Sequence, residues 1–388
     1  MTETRRLYYE DVYKKEFIAT VVECREQKKG YAVILDESAF YPEGGGQPSD
    51  VGTLGDAKVT EVHEKDGELL HYTDKTLEVG AKVEGKIDWA RRFDLMQQHS
   101  GEHMVSGIIH EKYGYDNVGF HMGSDAVTLD LDGVIAPEEL PEFERQVNEA
   151  IEKNLEIEVF YPTREELEHI DYRSKKEIEG QVRIVRIGDY DTCACCGTHV
   201  ERTGEIRLIK LLGLQNYKGG VRISMLTGKD AIDDYEKKHA TIQEATHLLS
   251  VKPDQVDSGI RKLLEANAAL KSKLIAFQRQ VGEEKANAVL EGTKKVCFLE
   301  PNFQNDELRE MCNKAAVKAE LVLGLLPIRE GMCQYVLIST RKDVREAGKE
   351  LNSRFQGKGG GQPSMVQGTL MADGEEIRSF FLDALNAE

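Results

Sequence analysis

The sequence predicts an α+β multidomain protein in four parts, on three kinds of observation. Residues 1–86 alternate apolar and polar stretches between turn signals, the pattern of a β-barrel-like domain. Residues 87–228 mix helical and strand-like runs around two pairs of metal-ligating side chains, as an α+β domain does. Residues 229–291 read as a helical hairpin or coiled coil, and 292–388 alternate strand and helix as an α/β domain.

In the first part, Lys29-Gly30, Glu43-Gly44 and Asp66-Gly67 mark turns. In the second, Phe93 to Tyr113 reads as an amphipathic helix with Leu95, Met96, Val105, Ile108 and Ile109 as its apolar positions. His99 and His103 lie four apart on it, so they share a face and reach one ion together. A strand around Ala126–Leu131, a helix from Pro137 to Lys153 and a strand over Val182–Ile187 follow. Gly188-Asp189-Tyr190-Asp191 breaks that last strand, and Cys195 and His199 come just after it, again four apart.

Those two pairs supply three imidazoles and one thiolate, a tetrahedral set for zinc, although iron or cobalt fits the same ligands. Cys193 and Cys196 flank Cys195 as neighbouring thiols. The zinc-protease motif needs Glu directly after the first His, and Ser100 stands there, which removes that reading. Glu102 either orients His103 or is a solvated helix charge. His110, two turns past His103, reads as surface or core.

In the third part Pro253 breaks the helix. After it Val256, Ile260, Leu263, Asn267, Leu270, Leu274, Phe277 and Val281 keep alternating spacings of four and three, a heptad seam with one polar position. The seam serves either the hairpin or a homodimer. In the last part Val296–Leu299, Leu321–Leu325 and Tyr335–Ile338 read as strands, and 306–319 and 343–355 as helices. The loop Gly357–Gly368 repeats Gly-Gly-Gly-Gln-Pro-Ser, already seen at Gly44–Ser49. Both copies allow backbone N–H groups to approach phosphate or carboxylate oxygens.

With 388 residues the chain has room for two to four domains, and no apolar run approaches the roughly 18 residues that cross a bilayer. The N-terminus opens no signal peptide, and seven cysteines, an odd count with three at the metal motif, suggest reduced thiols in a cytoplasmic protein. The net charge of −18 argues against a basic nucleic-acid binder overall but not against a local patch. Arg202, Arg207, Lys210, Lys218 and Arg222 fall together near the second ligand pair, and Arg354 and Lys358 flank the C-terminal glycines.

At these residues the chain resembles the AlaX family of free-standing alanyl-tRNA editing proteins and the editing domain of alanyl-tRNA synthetase. The likeness runs through Phe40–Gly52, Asp88–Arg92, Met96–His103, Arg183–Tyr190, Thr198–Ile206, Gly219–Ile223 and Thr227-Gly228. The family usually has Gly where this chain has Cys196, and the matched ligand position is Cys195. Gly357–Gly368 resembles the glycine-rich signature of the DHHA1 domain, which makes the whole look like the long AlaX form.

The resemblance implies an aminoacyl-tRNA deacylase that hydrolyses mischarged Ser-tRNA(Ala), with Gly-tRNA(Ala) as a second substrate. It implies Zn²⁺ on His99, His103, Cys195 and His199, and a loop at Gly44, Gly45, Gly46 and Gln47 that packs against the editing site and helps shape it. Charge clustering makes Arg202, Arg222 and Lys358, with Gly359, Gly360 and Gly361 beside the last, either tRNA-substrate contacts or a solvated face. It aligns His121 with a polar editing-site position, where it would orient water or the ribose hydroxyl, and leaves Glu102 as the other candidate in catalysis. A synthetase's aminoacylation domain would precede the barrel, so the chain is expected to act in trans. Two other classes compete: a non-catalytic tRNA-binding protein with a structural zinc, and a DHH-type phosphoesterase, against which stands the lack of any Asp-His-His motif.

Overall fold

The computed structural model describes residues 3–123, 125–174 and 180–385. The chain divides into two compact units, Met1–Thr241 and Ile242–Glu388. The first opens with β1 (Arg5–Arg6), the one-turn helix α1 (Leu7–Glu10), β2 (Glu16–Glu26), β3 (Tyr31–Leu35), β4 (Glu37–Ser38), β5 (Gly52–Leu54), β6 (Ala57–Lys65), β7 (Glu68–Thr73) and β8 (Lys82–Ile87). Strands β2, β3, β7, β6, β5 and β8 close into a barrel in that order, while β1 pairs in parallel with β4 outside it. Closure leaves the barrel no open edge. Strand β8 alternates exposed and buried at every residue, the period of a strand with one face inward. Phe17, Val21, Leu35, Phe40, Leu54 and Val59 fill the interior.

An imidazole sits among them. His71 is fully buried, with Nδ1 3.0 Å from the Val33 carbonyl and Nε2 2.7 Å from Ser38 Oγ. Burial disfavours the imidazolium and pushes its pKa down to about 4.

The barrel hands the chain to α2 (Trp89–Tyr113), capped by the Asp88 carboxylate, which accepts from the Arg91 N–H at 3.2 Å. Gly114 ends it in the left-handed conformation at φ 69°. The sequence predicts an amphipathic helix here, yet every residue from Leu95 to Ile109 is buried. The reason is that α2 is enclosed on all sides, and its glycines permit it. A Cβ at Gly107 would stand 2.2 Å from the Tyr190 carbonyl oxygen, and one at Gly101 2.9 Å from Thr227 Cγ2.

The elements that follow α2 in this unit are β9 (Asn117–Met122), β10 (Val127–Leu131), α3 (Leu140–Glu152), β11 (Ile157–Phe160), the one-turn α4 (Arg164–Leu167), β12 (Ile184–Ile187), β13 (Asp191–Ala194), β14 (Ile209–Tyr217) and β15 (Gly220–Thr227), of which α3, β9, β10, β13 and β15 pack against it. They form a four-stranded sheet, β14-β15-β10-β9, and a three-stranded antiparallel one, β11-β12-β13. A buried ion pair ties the barrel to α2: Arg92 holds Asp50 and also donates to the Ala39 carbonyl at 2.7 Å. Both charges are removed from water, so this geometry survives only because each group has several partners.

Helix α5 (Lys229–Leu249) carries the unit boundary. The second unit then contains α6 (Val256–Ala288), β16 (Thr293–Leu299), α7 (Asn305–Ala315), β17 (Ala319–Arg329), β18 (Met332–Ile338), α8 (Arg345–Arg354), β19 (Lys358–Gln362), β20 (Met365–Leu370) and α9 (Gly374–Asp383). Its sheet runs β16-β17-β18-β20-β19, with only the first pair parallel. Alternate residues of β17 face two cores: Leu321, Leu323 and Leu325 meet α8 and α9, and Val322 meets α7.

Two expectations are changed in this unit. The heptad seam of α6 is not consumed within it, because Ile260, Leu263, Leu270, Leu274 and Phe277 are all exposed. The glycine run at 357–368 is not a loop but a hairpin, with β19 as an exposed edge strand. Glycine adds no side-chain period, so nothing in Gly359-Gly360-Gly361 signals a strand. No helix among the described residues is long and apolar enough to cross a membrane.

Candidate metal centre

Helix α2 presents His99 and His103, and the segment after β13 presents Cys195 and His199. One ligating atom from each lies within 4.8 Å of all the others. His99 Nε2 and His199 Nε2 each stand 3.4 Å from Cys195 Sγ. Tetrahedral Zn–N and Zn–S bonds of about 2.0 and 2.3 Å require ligand separations of roughly 3.3–3.6 Å, so the donor set fits zinc by chemistry and by spacing.

Each imidazole is held from behind by its Nδ1. His99 Nδ1 lies 2.9 Å from Gln47 Oε1, His103 Nδ1 2.7 Å from Asp191 Oδ2, and His199 Nδ1 3.2 Å from Ser100 Oγ. Donation of Nδ1–H to these oxygens leaves the Nε2 lone pairs pointing inward, the tautomer a metal ligand needs. Asp191 is braced in turn by Arg173 at 2.8 Å. Burial pushes the Cys195 thiol up, but His99 and His103 together outweigh it and hold the thiol well below its usual range. His103 is likewise lowered by burial and raised more strongly by Cys195 and Asp191, ending well above its ordinary value. Burial and the neighbouring His99 push His199 down to about 3. The site favours a thiolate and draws positive charge to it, as a cation site does.

A cavity of about 460 Å³ opens onto the ligands, walled by Gly45, Gly46, Phe120, Cys193, Ala194 and Cys196. Gly45 and Gly46 reach it from the barrel through a tight turn with φ of 60° and 85°. Gly44 and Gln47 close that turn with two backbone hydrogen bonds of 3.1 and 3.0 Å. A Cβ on Gly46 would lie 2.9 Å from the Phe120 carbonyl oxygen, and one on Gly197 2.0 Å from His99 Cε1.

Several sequence-predicted residues take other places. Glu102 is neither a solvated charge nor the brace of His103. It is buried against Ser106 and Asn117, and Asp191 occupies His103 Nδ1. Glu102 directly precedes His103, and one residue is about 100° of rotation round a helix, which turns it off that ligand's face. In β9 Phe120 lines the cavity, its ring 5.2 Å from His99, while His121 sits in the adjoining depression beside Glu43 and His63. Strand alternation gives the two residues opposite faces, so His121 lines the adjoining depression and not this cavity. Gln47 is fully buried, with its amide turned to His99 and Thr198.

Arg222 is bidentate to Asp130 at 2.5 and 2.7 Å and stacks 3.9 Å from the Tyr217 ring. Lys210 pairs with Glu144, and Arg202 donates to the Asn154 carbonyl. Lys358 and Gly359–Gly361 are exposed on β19 in the second unit. Gln47 as a brace, Asp191, Ser100 and Phe120 are the residues that sequence reasoning missed. Only Ser100 carried a signal, as the residue displacing Glu from the protease motif.

The family described as threonyl and alanyl tRNA synthetase second additional domain matches residues 182–224, and that of class II (A) tRNA synthetases matches residues 2–91. The alanyl-tRNA editing protein AlaX-L of Pyrococcus horikoshii is 30% identical over 98% of this chain and 98% of its own. The alanyl-tRNA editing protein Aarsd1 of Rattus norvegicus is 25% identical over 97% of each. The alanine–tRNA ligase of Methanobrevibacter smithii is 33% identical over 76% of this chain but 35% of the ligase. Among solved structures, the C-Ala domain from Aquifex aeolicus alanyl-tRNA synthetase covers 26% of the chain at 20% identity with a TM-score of 0.20, too low to bear on the fold.

Proposed function

The chain belongs to the alanyl-tRNA editing protein family, and from that premise we propose that it hydrolyses the aminoacyl ester of mischarged tRNA(Ala) in trans, Ser-tRNA(Ala) first and Gly-tRNA(Ala) second. The observation that carries the reading is the cavity of about 460 Å³ in front of His99 and His103, walled on one side by two glycines. A structural zinc needs four ligands but no cavity, so this opening favours catalysis over the alternative of a tRNA-binding module with a structural metal.

His99, His103, Cys195 and His199 are the residues to hold zinc. Once held there, the ion supplies a Lewis acid that polarises the ester or grips the substrate's amine or hydroxyl. The chain's own part is positional. Asp191, Ser100 and Gln47 fix the three imidazoles before substrate arrives, so none has to reorient during reaction. Gly45 and Gly46 leave room for the terminal ribose and its ester, and Phe120 gives the cavity an apolar wall. The physical need is plain: a synthetic site for alanine rejects a side chain with one added hydroxyl poorly, whereas a site built to read that hydroxyl can spare alanine.

The test is hydrolysis of Ser-tRNA(Ala) against Ala-tRNA(Ala), by wild type and by a His103→Ala, Cys195→Ala double variant. Release of serine that spares alanine and vanishes in the variant is expected. Tight tRNA binding without turnover by zinc-loaded protein would overturn the enzymatic reading and leave the binding module. For the exposed seam of α6, the proposed occupant is a second copy of this chain, since parallel pairing sets Asn267 opposite itself. Sedimentation of wild type as a dimer and of Leu270→Glu as a monomer is expected, and a monomeric wild type overturns it.

A further inference from the structure

Resting on the reading of this site as a zinc centre, we propose that Gln47 is a positioning residue of that centre, supplied to it by the barrel. Its carboxamide is fully buried and makes three hydrogen bonds. Oε1 accepts from His99 Nδ1–H at 2.9 Å and from the Thr198 N–H at 3.0 Å. Nε2 donates to Thr198 Oγ1 at 2.7 Å. Thr198 thus fixes which end of the amide faces His99, because only the oxygen can take the Thr198 N–H. With Oε1 in that place, the His99 proton is drawn to Nδ1 and Nε2 is left as the ligating atom.

The amide also couples two segments far apart in sequence. His99 is on α2, and Thr198 sits directly before the ligand His199. One side chain therefore sets both the rotation of the first ligand's ring and the backbone that carries the fourth. It reaches them only because its approach is free of Cβ atoms. Gly46 carries the turn past the Phe120 carbonyl, and Gly197 lies against the His99 ring where a Cβ would stand 2.3 Å from Nδ1. The barrel completes the metal centre without contributing a ligand.

The experiment measures zinc affinity by chelator competition, and the visible bands of the cobalt-loaded full chain, for wild type and three variants. Gln47→Met keeps the bulk and removes the acceptor. Its zinc Kd should rise about 10–100-fold, with altered cobalt bands. Gln47→Glu keeps an acceptor facing three donors, so its Kd should equal or undercut that of wild type. Gln362→Met, in the second copy of the same hexapeptide, is on an exposed strand and should change neither readout.

A role in packing alone predicts the opposite for Gln47→Glu, because a buried charge would disrupt packing at least as much as Met does. Equal losses in Met and Glu therefore overturn the proposal, as does wild-type affinity in both. If wild type itself takes up no zinc, the reading of the site as a zinc centre falls and this inference falls with it. If wild type binds zinc and the variants match it, only the inference falls.

Discussion

Gly-Gly-Gly-Gln-Pro-Ser is written twice in this chain, and the two copies share almost nothing but their letters. At Gly44–Ser49 the second and third glycines are left-handed, the run turns back on itself, and Gln47 is buried against His99. At Gly359–Ser364 no glycine has a positive φ, the run is an edge strand hydrogen-bonded to β20, and Gln362 is exposed. Six residues with no side-chain period do not choose between turn and strand. The flanks choose. Upstream of the first copy Phe40 and Tyr41 are buried in the barrel, and downstream Asp50 is clamped by Arg92, which fixes both ends of a short excursion. The second copy lies opposite Met365-Val366-Gln367, whose backbone offers a ladder. Identical local sequence thus builds part of a candidate active site in one place and a sheet edge in the other.

The comparison breaks most visibly at the third glycine. Gly46→Ala places a Cβ in a left-handed residue and against the Phe120 carbonyl, and should cost roughly 3–4 kcal/mol, with zinc binding lost as the turn moves. Gly361→Ala also meets backbone, at 2.1 Å from the Met365 carbonyl oxygen, but on an exposed edge that can fray. It should cost about 1–2 kcal/mol and leave the zinc content of the chain unchanged. Urea unfolding with metal analysis separates the two. Equal loss of zinc in both would mean that the copies are not independent.

Acid should distinguish the two settings next. The first copy leaves a barrel that holds buried, neutral His71, whereas the second unit has one histidine, exposed His247. Between the ordinary imidazole value of 6.5 and the folded value of about 4, the unfolded chain binds a proton that folded His71 refuses. Its contribution is therefore fully present above pH 6.5 and is lost as pH falls through about 4, a decline of about 3 kcal/mol. The single tryptophan, Trp89, lies in the first unit and reports its unfolding by fluorescence. His71→Asn should flatten the decline by that amount, and an unchanged slope would remove His71 from the account.

Much of the candidate metal centre was legible in the sequence because helical spacing needs no tertiary information. His99 and His103 share a face at any helix position, and the second pair repeats the chemistry. What stayed hidden depended on register or on distant partners. Whether Phe120 or His121 faces the cavity is set by the pairing of β9 with β10, where a shift of one residue exchanges the faces. Glu102 looked available to His103 because it is adjacent, whereas the real brace, Asp191, arrives from 88 residues away. The burial of α2 on every side was invisible for a related reason, since its polar face meets other polar groups in the interior instead of water. The heptad seam was legible as a pattern, but only the structure shows that the chain's second unit leaves it uncovered.

The smallest expected effect is the cleanest. Gly45 and Gly360 are the middle glycines of the two runs, with the same neighbours on both sides, and an added Cβ meets no atom within 4 Å in either. Sterics from the surroundings are thus equal, and the only difference is the backbone: φ is 60° at Gly45 and outside the left-handed region at Gly360. Gly45→Ala should cost about 1–2 kcal/mol for holding an L-residue left-handed. Gly360→Ala should be neutral or stabilise by up to about 1 kcal/mol, because alanine narrows the unfolded ensemble and suits an extended residue better. Measured as paired urea midpoints, the two substitutions should move stability in opposite directions or differ by at least about 1 kcal/mol. If they agree, the left-handed turn is not what the first copy requires of its glycines, and the loop is held by Gln47 and Asp50 alone.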